Sequence, residues 1–311
     1  MVQLAGSVGL HRAAPAGGST IVNSGLSKGC HDGGVSLLHR DTDSGSAAVA
    51  NVAGRRGVVT GGRRRTLVTE VWIVFAISLG ASGLNALLDL IKDLTVTRAP
   101  LGKQHAILNG SVTPDRPWLD LAFQLFFIAS GLVPAALVVY LLHRSKESLH
   151  TIGVDRTRLR RDFGFGALLA ACVGGAGIVL YIGAHAAGAN LVVVPTTLGP
   201  HWWRVPVLLL SAAQNGIYEE VLVSGYLLHR LRQFGWNDNV SLVTSAALRG
   251  SYHLYQGFGG FAGNFAMGLI FGRFYQRTGR TLPLIVAHTI MDAVSFIGYI
   301  YLAGKVSWLP T

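Results

Sequence analysis

The chain of 311 residues is half hydrophobic and only 13% charged, with a mean hydropathy of +0.43. That balance excludes an ordinary water-soluble enzyme and fits a polytopic membrane protein. The net charge of +11 would suit a nucleic-acid partner, but the basic residues gather at the ends of apolar segments. Topology and anionic lipid account for them there, so membrane lipid is the expected partner and nucleic acid is not.

Residues 1–65 are rich in Gly, Ala, Ser and Val, lack helical or strand periodicity and close with "RRGVVTGGRRR". This composition reads as a disordered basic tail. A helical domain over 66–311 follows, with seven apolar segments at roughly 69–90, 118–142, 163–185, 204–228, 239–256, 260–276 and 282–304. Each approaches the roughly 20 residues that a span requires. The expected fold is therefore all-α, a bundle of about seven transmembrane helices, with glycines inside the apolar runs letting helices approach closely. With the tail in the cytoplasm, sixteen Lys and Arg fall near cytoplasmic span ends and five on the other side, which orients the N-terminus inward. Cys30 and Cys172 form neither a disulfide framework nor a thiolate metal site.

Ionisable side chains inside spans cost about 2.5 to 3.5 kcal/mol each and are functional by default. Here they concentrate in the core segments 204–304: Glu219 and Glu220 in the fourth, Arg249 and His253 in the fifth, His288 and Asp292 in the seventh. Residues four apart share a helix face. Asn215 and Glu219 thus lie on one stripe with Ser211, Glu220 faces the Ser224 side, Arg249 precedes His253 by a turn, and His288 precedes Asp292 by a turn. At 1.5 Å per residue, Glu219 and His288 come within about 5 Å of the same depth, with His253 somewhat deeper. Such a set of carboxylates and imidazoles can do general acid and base work on water, with or without a metal. Within these helices no Gly-x-Ser-x-Gly elbow supports a serine nucleophile. His185, His201 and His229, at span ends or in loops, read as solvated, and Trp202 and Trp203 as interfacial anchors.

Three short motifs occur in order: "EEVLVSGYL" from Glu219, "RGSYH" ending at His253 and "HTIMD" from His288. In them the chain resembles the CPBP family of intramembrane proteases, which includes the CAAX prenyl endoproteases and the bacteriocin-processing or immunity proteins; the resemblance covers roughly 140–300. It implies that Glu219 activates the attacking water, that His253 assists it, that His288 and Asp292 position or stabilise the oxyanion, and that Glu220 supports its neighbour. Asn215 and Arg249 are supporting residues. Metal-free glutamate chemistry is the favoured reading, and zinc held by Glu219, His253 and His288 is the alternative. Two departures stand out: Ser224 occupies the place of the family's arginine, and Arg249 that of its phenylalanine. Arg249 is therefore expected to pair with Glu220 or Glu219 from the neighbouring helix. The implied activity is an intramembrane endopeptidase acting on a membrane-anchored peptide or protein. The alternatives are an inactive member serving as a membrane scaffold or immunity protein and, less well supported, a proton-coupled transporter.

Overall fold

The computed structural model describes residues 58–95, 99–307 and 309. The expected tail lies mostly outside these residues, and its last part, from Gly61, already belongs to the first helix. The single span expected over 69–90 is two helices, α1 (Gly61–Ala76) and α2 (Leu79–Thr95), meeting at 41°. At the break Ser78 Oγ donates to Val74 O at 2.5 Å, a local bond of the kind that bends helices. Helices α3 (Pro117–Gly131) and α4 (Val133–Arg144) form one apolar rod, each with proline in its first turn, where a missing N–H leaves no helical bond unmade. Helix α5 (Leu159–Ala186) is a single long apolar helix.

Helix α6 (Arg204–Glu219) passes without interruption through a π-helical stretch, Glu220–Leu227, into α7 (Leu228–Gln233). The chain then forms α8 (Asp238–Ser251), whose Asn237 cap accepts the N–H of Asn239 at 2.8 Å, followed by α9 (Phe258–Thr278) and α10 (Leu282–Leu302).

Two features correct the expectation. Strand β1 (His105–Asn109) pairs in parallel with β2 (Val192–Thr196), so the fold is mostly but not wholly helical. The run Val192–Val194 is β-branched but too short to register as a span. Helix α8, in the fifth apolar segment, also stops at Ser251 instead of continuing to 256, which leaves His253 in a turn beyond it.

Among the described residues, three helical stretches are long and apolar enough to cross a membrane (117–144, 159–186 and 282–302), or four if the bent α1–α2 pair is one span. Helices α6, α8 and α9 occupy the other three apolar segments without meeting that test individually. These apolar helices mark a membrane protein. One buried cluster joins α1, α2, α4 and the π-helical stretch; a second joins α5, α7, α9 and α10; a third joins α6 to α10.

The loop after α4 is fastened to α7 by a buried polar knot. Glu147 accepts from Arg230 Nη1 at 2.6 Å and Gln233 Nε2 at 2.8 Å and meets His229 Nε2 at 2.9 Å. His229 is therefore not solvated as its position suggests, and Arg230 is fully buried. Burial alone would push the Glu147 carboxyl up, but the bond and charge of His229, then those of Arg230, outweigh it and hold the carboxyl down to about 2. A depressed carboxylate stabilises the fold fully above its unfolded value near 4.5 and loses that contribution as pH falls towards 2. Unfolding in detergent is thus expected to lose about 3 kcal/mol across that window from this group. Glu147→Gln should be weakened already at neutral pH and show a flatter profile below 4.5; parallel profiles would contradict this role.

Candidate active site

Close packing of α6 on α10 brings the first and third motifs together. A Cβ on Gly216 would stand 2.6 Å from Thr289 Oγ1 and 2.9 Å from Ile285 O, so only glycine permits this approach. One turn further along, Glu219 and Glu220 stand where the helix passes into its π-helical stretch, a widened turn often found at functional sites. Glu220 is fully buried and both of its carboxylate oxygens are hydrogen-bonded. Oε1 accepts from Arg249 Nη2 at 2.7 Å and from His288 Nδ1 at 2.8 Å, and Oε2 accepts from Ser224 Oγ at 2.5 Å. Ser224, where the resembled family places an arginine, thus reaches the same carboxylate one helical turn away, but as a neutral donor.

The cation comes from α8. Arg249 is fully buried, with Nη2 on Glu220 and Nη1 3.4 Å from Glu219 Oε2, and its guanidinium lies 5.7 Å from the centre of the Phe271 ring. Gly268 of α9 leaves room for the arginine stem: a Cβ there would stand 3.4 Å from Arg249 Cδ and 2.8 Å from Ala246 Cα. One guanidinium spanning two carboxylates is what makes a buried acidic pair tolerable at this depth.

Glu219 is held differently. Its Oε2 accepts from Tyr252 Oη at 2.7 Å as well as from Arg249, while Oε1 has no hydrogen bond among the described residues and about a tenth of the side chain is exposed. His253 folds back across the end of α8, with Nδ1 donating to Arg249 O at 3.0 Å and its ring between Tyr252 and Tyr255 at 4.8 and 6.2 Å. That bond puts the proton on Nδ1 and leaves the Nε2 lone pair available. Tyr252 links this histidine to the acidic pair, with its hydroxyl on Glu219 Oε2 and its ring against the His253 imidazole. On the far side Asn215 Nδ2 donates to Asp292 Oδ2 at 2.9 Å, and Asp292 Oδ1 is 3.8 Å from His288 Nε2, close enough for attraction but too long for a direct hydrogen bond.

The structure therefore joins Glu219, Glu220, Arg249 and His288 through direct contacts, with Asn215 and Asp292 adjoining through His288. His253 reaches the group through the Arg249 carbonyl and the Tyr252 ring, not by sharing a helix face with that arginine. Ser211, expected on the Glu219 stripe, bonds instead to Asn109 of β1 at 2.8 Å. Trp203 is buried, whereas Trp202 is exposed as an anchor should be. Tyr252 is the residue that sequence reasoning passed over. Its signal is the spacing of three from Arg249, which in a helical turn puts the two on one side, and Tyr252 is the residue that caps the end of α8.

Zinc fits this arrangement poorly. Among the described residues no group of three or more His, Cys, Asp or Glu is arranged to hold a metal. A dication between the two glutamates would also stand against the buried Arg249 guanidinium.

Compared with protein families, residues 201–294 match the model described as type II CAAX prenyl endopeptidase, Rce1-like. The match runs from the start of α6 well into α10 and encloses every motif residue above. No curated protein and no solved structure matches the chain.

Proposed function

On the premise that residues 201–294 form an Rce1-like domain of the CAAX-type intramembrane protease family, we propose that the chain is an intramembrane endopeptidase. Its mechanism would be hydrolysis by water held between Glu219 and His253. The observation that carries this reading is the asymmetry of the acidic pair: Glu220 has both oxygens engaged, whereas Glu219 has no hydrogen bond on Oε1 among the described residues and lies beside the exposed edge of the site. A free carboxylate oxygen on a fixed side chain suits a general base.

Glu219 takes a proton from the water as its oxygen attacks the scissile carbonyl carbon, and His253 Nε2 accepts the second hydrogen bond of that water. His288, braced by Glu220 and Asp292, faces the oxyanion that develops. The proton then passes to the departing amine nitrogen as the C–N bond breaks. The residues present require no metal for these steps.

The substrate is a membrane-anchored peptide or protein, and the family description makes a prenylated CAAX peptide the first to try. On this reading the seven apolar segments are crossings or partial crossings, and the excess of basic residues on one side supports an N-terminus in the cytoplasm and a site in the cytoplasmic half of the bilayer. In proteoliposomes with such a peptide, Glu219→Ala and His253→Ala should abolish cleavage while remaining membrane-inserted; cleavage at the wild-type rate by both would refute the assignment. Tyr252→Phe removes one donor from Glu219 and should lower kcat about tenfold with little change in KM. An equal fall in kcat and rise in KM would instead assign Tyr252 to substrate binding.

A non-proteolytic scaffold or immunity protein is the second reading, favoured by the exchange at Ser224 and Arg249, which neutralises the acidic pair from a different helix than the family pattern. Full phenotypic complementation by the Glu219→Ala and His253→Ala proteins would support it.

A further inference from the structure

An apolar groove of about 560 Å³ lies between α5, α8 and α9, away from the acidic pair, and its floor is Leu169, Leu242, Leu269, Ile270 and Phe274. Its end is basic, with Arg273 and Arg277 one turn apart in the last two turns of α9, beside Thr278. We propose that this groove is a binding site for an anionic phospholipid, the phosphate lying between Arg273 and Arg277 and an acyl chain along the apolar floor.

Three observations carry the assignment. The first is charge. Three arginines stand at this end of α9, and Arg280 is neutralised by Asp155 and Asp162. Arg273 and Arg277 have no carboxylate within ion-pair distance among the described residues. Arg273 bonds only to neutral amide oxygens, Gln276 Oε1 at 3.1 Å and Asn239 Oδ1 at 2.6 Å, and the nearby Asp238 is engaged by Arg232 at 3.8 Å.

The second is position. The guanidinium groups sit at the end of a 21-residue helix, the level at which headgroups meet long basic side chains. Phe165 of α5 packs edge-on to Phe274 with ring centres 6.1 Å apart. Arg161, one turn earlier on that face of α5 and exposed, adds a further cation at the same end.

The third is shape. The volume falls within the range of small-molecule pockets, and an apolar trough ending in two cations that have no carboxylate partner among the described residues matches an acyl chain and phosphate in both chemistry and polarity. With the basic side facing the cytoplasm, the lipid would come from the leaflet richest in anionic species. The site depends neither on the protease reading nor on the acidic pair.

The test is lipid binding by the full chain purified in detergent, measured by native mass spectrometry and by tryptophan quenching with brominated phosphatidylglycerol against brominated phosphatidylcholine. Wild type should hold one phosphatidylglycerol more tightly than any phosphatidylcholine. Arg273→Gln with Arg277→Gln should weaken it about thirtyfold, and Arg277→Gln alone, which breaks no hydrogen bond or ion pair among the described residues, about fivefold. Ile270→Trp leaves both charges in place but fills the trough, and it should weaken binding comparably. Equal affinity for the two lipids, unchanged binding in the double variant, or loss in the arginine variants without loss in Ile270→Trp would overturn the site. The last result would leave only diffuse surface charge. Competition by millimolar inorganic phosphate equal to that by phosphatidylglycerol would also overturn it, in favour of a free-anion site.

Discussion

Arg249→Ala is expected to be the most damaging single substitution in the bundle, costing about 3 to 5 kcal/mol, the range seen when one partner is removed from a buried ion pair. The reason is local. Glu219 and Glu220 are adjacent, both are buried, and the Arg249 guanidinium is the cation that touches both. Ser224 donates a neutral hydrogen bond to Glu220 and cannot replace that charge. Lysine is a poor substitute too, because a single ammonium cannot span two carboxylates as a planar fork does; Arg249→Lys should fall between wild type and alanine.

The same reasoning predicts a rescue. Arginine at 224 lies one turn beyond Glu220 on the same face, so Ser224→Arg together with Arg249→Ala should recover part of the lost stability. Ser224→Arg alone should destabilise, because it forces a second cation into a position only 2% exposed. Thermal unfolding in detergent reads all four proteins. A double variant no better than Arg249→Ala would show that the cation has not exchanged helices.

Glu219→Gln should have the opposite character, with a nearly intact fold and an activity reduced about 10²- to 10⁴-fold, the usual contribution of a general base. The amide can still accept from Tyr252, and Arg249 keeps its stronger bond at 2.7 Å to Glu220. Glu220→Gln replaces an anion that three donors surround, and it should destabilise before it inactivates. The two neighbours are thereby separated by experiment: one variant folded and inactive, the other unstable. If both variants lose stability alike, the division of roles within the pair is wrong.

Much of this was legible in the sequence because a bilayer makes buried charge conspicuous. Glu219, Glu220, Arg249 and His288 are each out of place in apolar helices, and their i,i+4 neighbours indicated which faces they present. Helix limits were recovered where hydropathy changes sharply, as at α5 and α10. What stayed hidden depends on tertiary contacts. The π-helical stretch Glu220–Leu227 carries no periodic signature of its own. At the end of α8 Ser251 is followed by Tyr252 and His253, neither glycine nor proline, so i,i+4 spacing puts His253 on a face with Arg249, whereas its ring is tied back to the Arg249 carbonyl. The β1–β2 pair joins two connections far apart in sequence, and the burial of His229 depends on Glu147 from another loop.

The most direct test of an intramembrane endopeptidase built on Glu219 is to compare the membrane-protein termini of cells producing wild type with those producing Glu219→Gln at equal abundance. The account predicts a set of new termini, cut near the cytoplasmic face of the bilayer, that appear with wild type and vanish with Glu219→Gln and with His253→Ala. Identical termini in all three, with each protein folded and in the membrane, would contradict it.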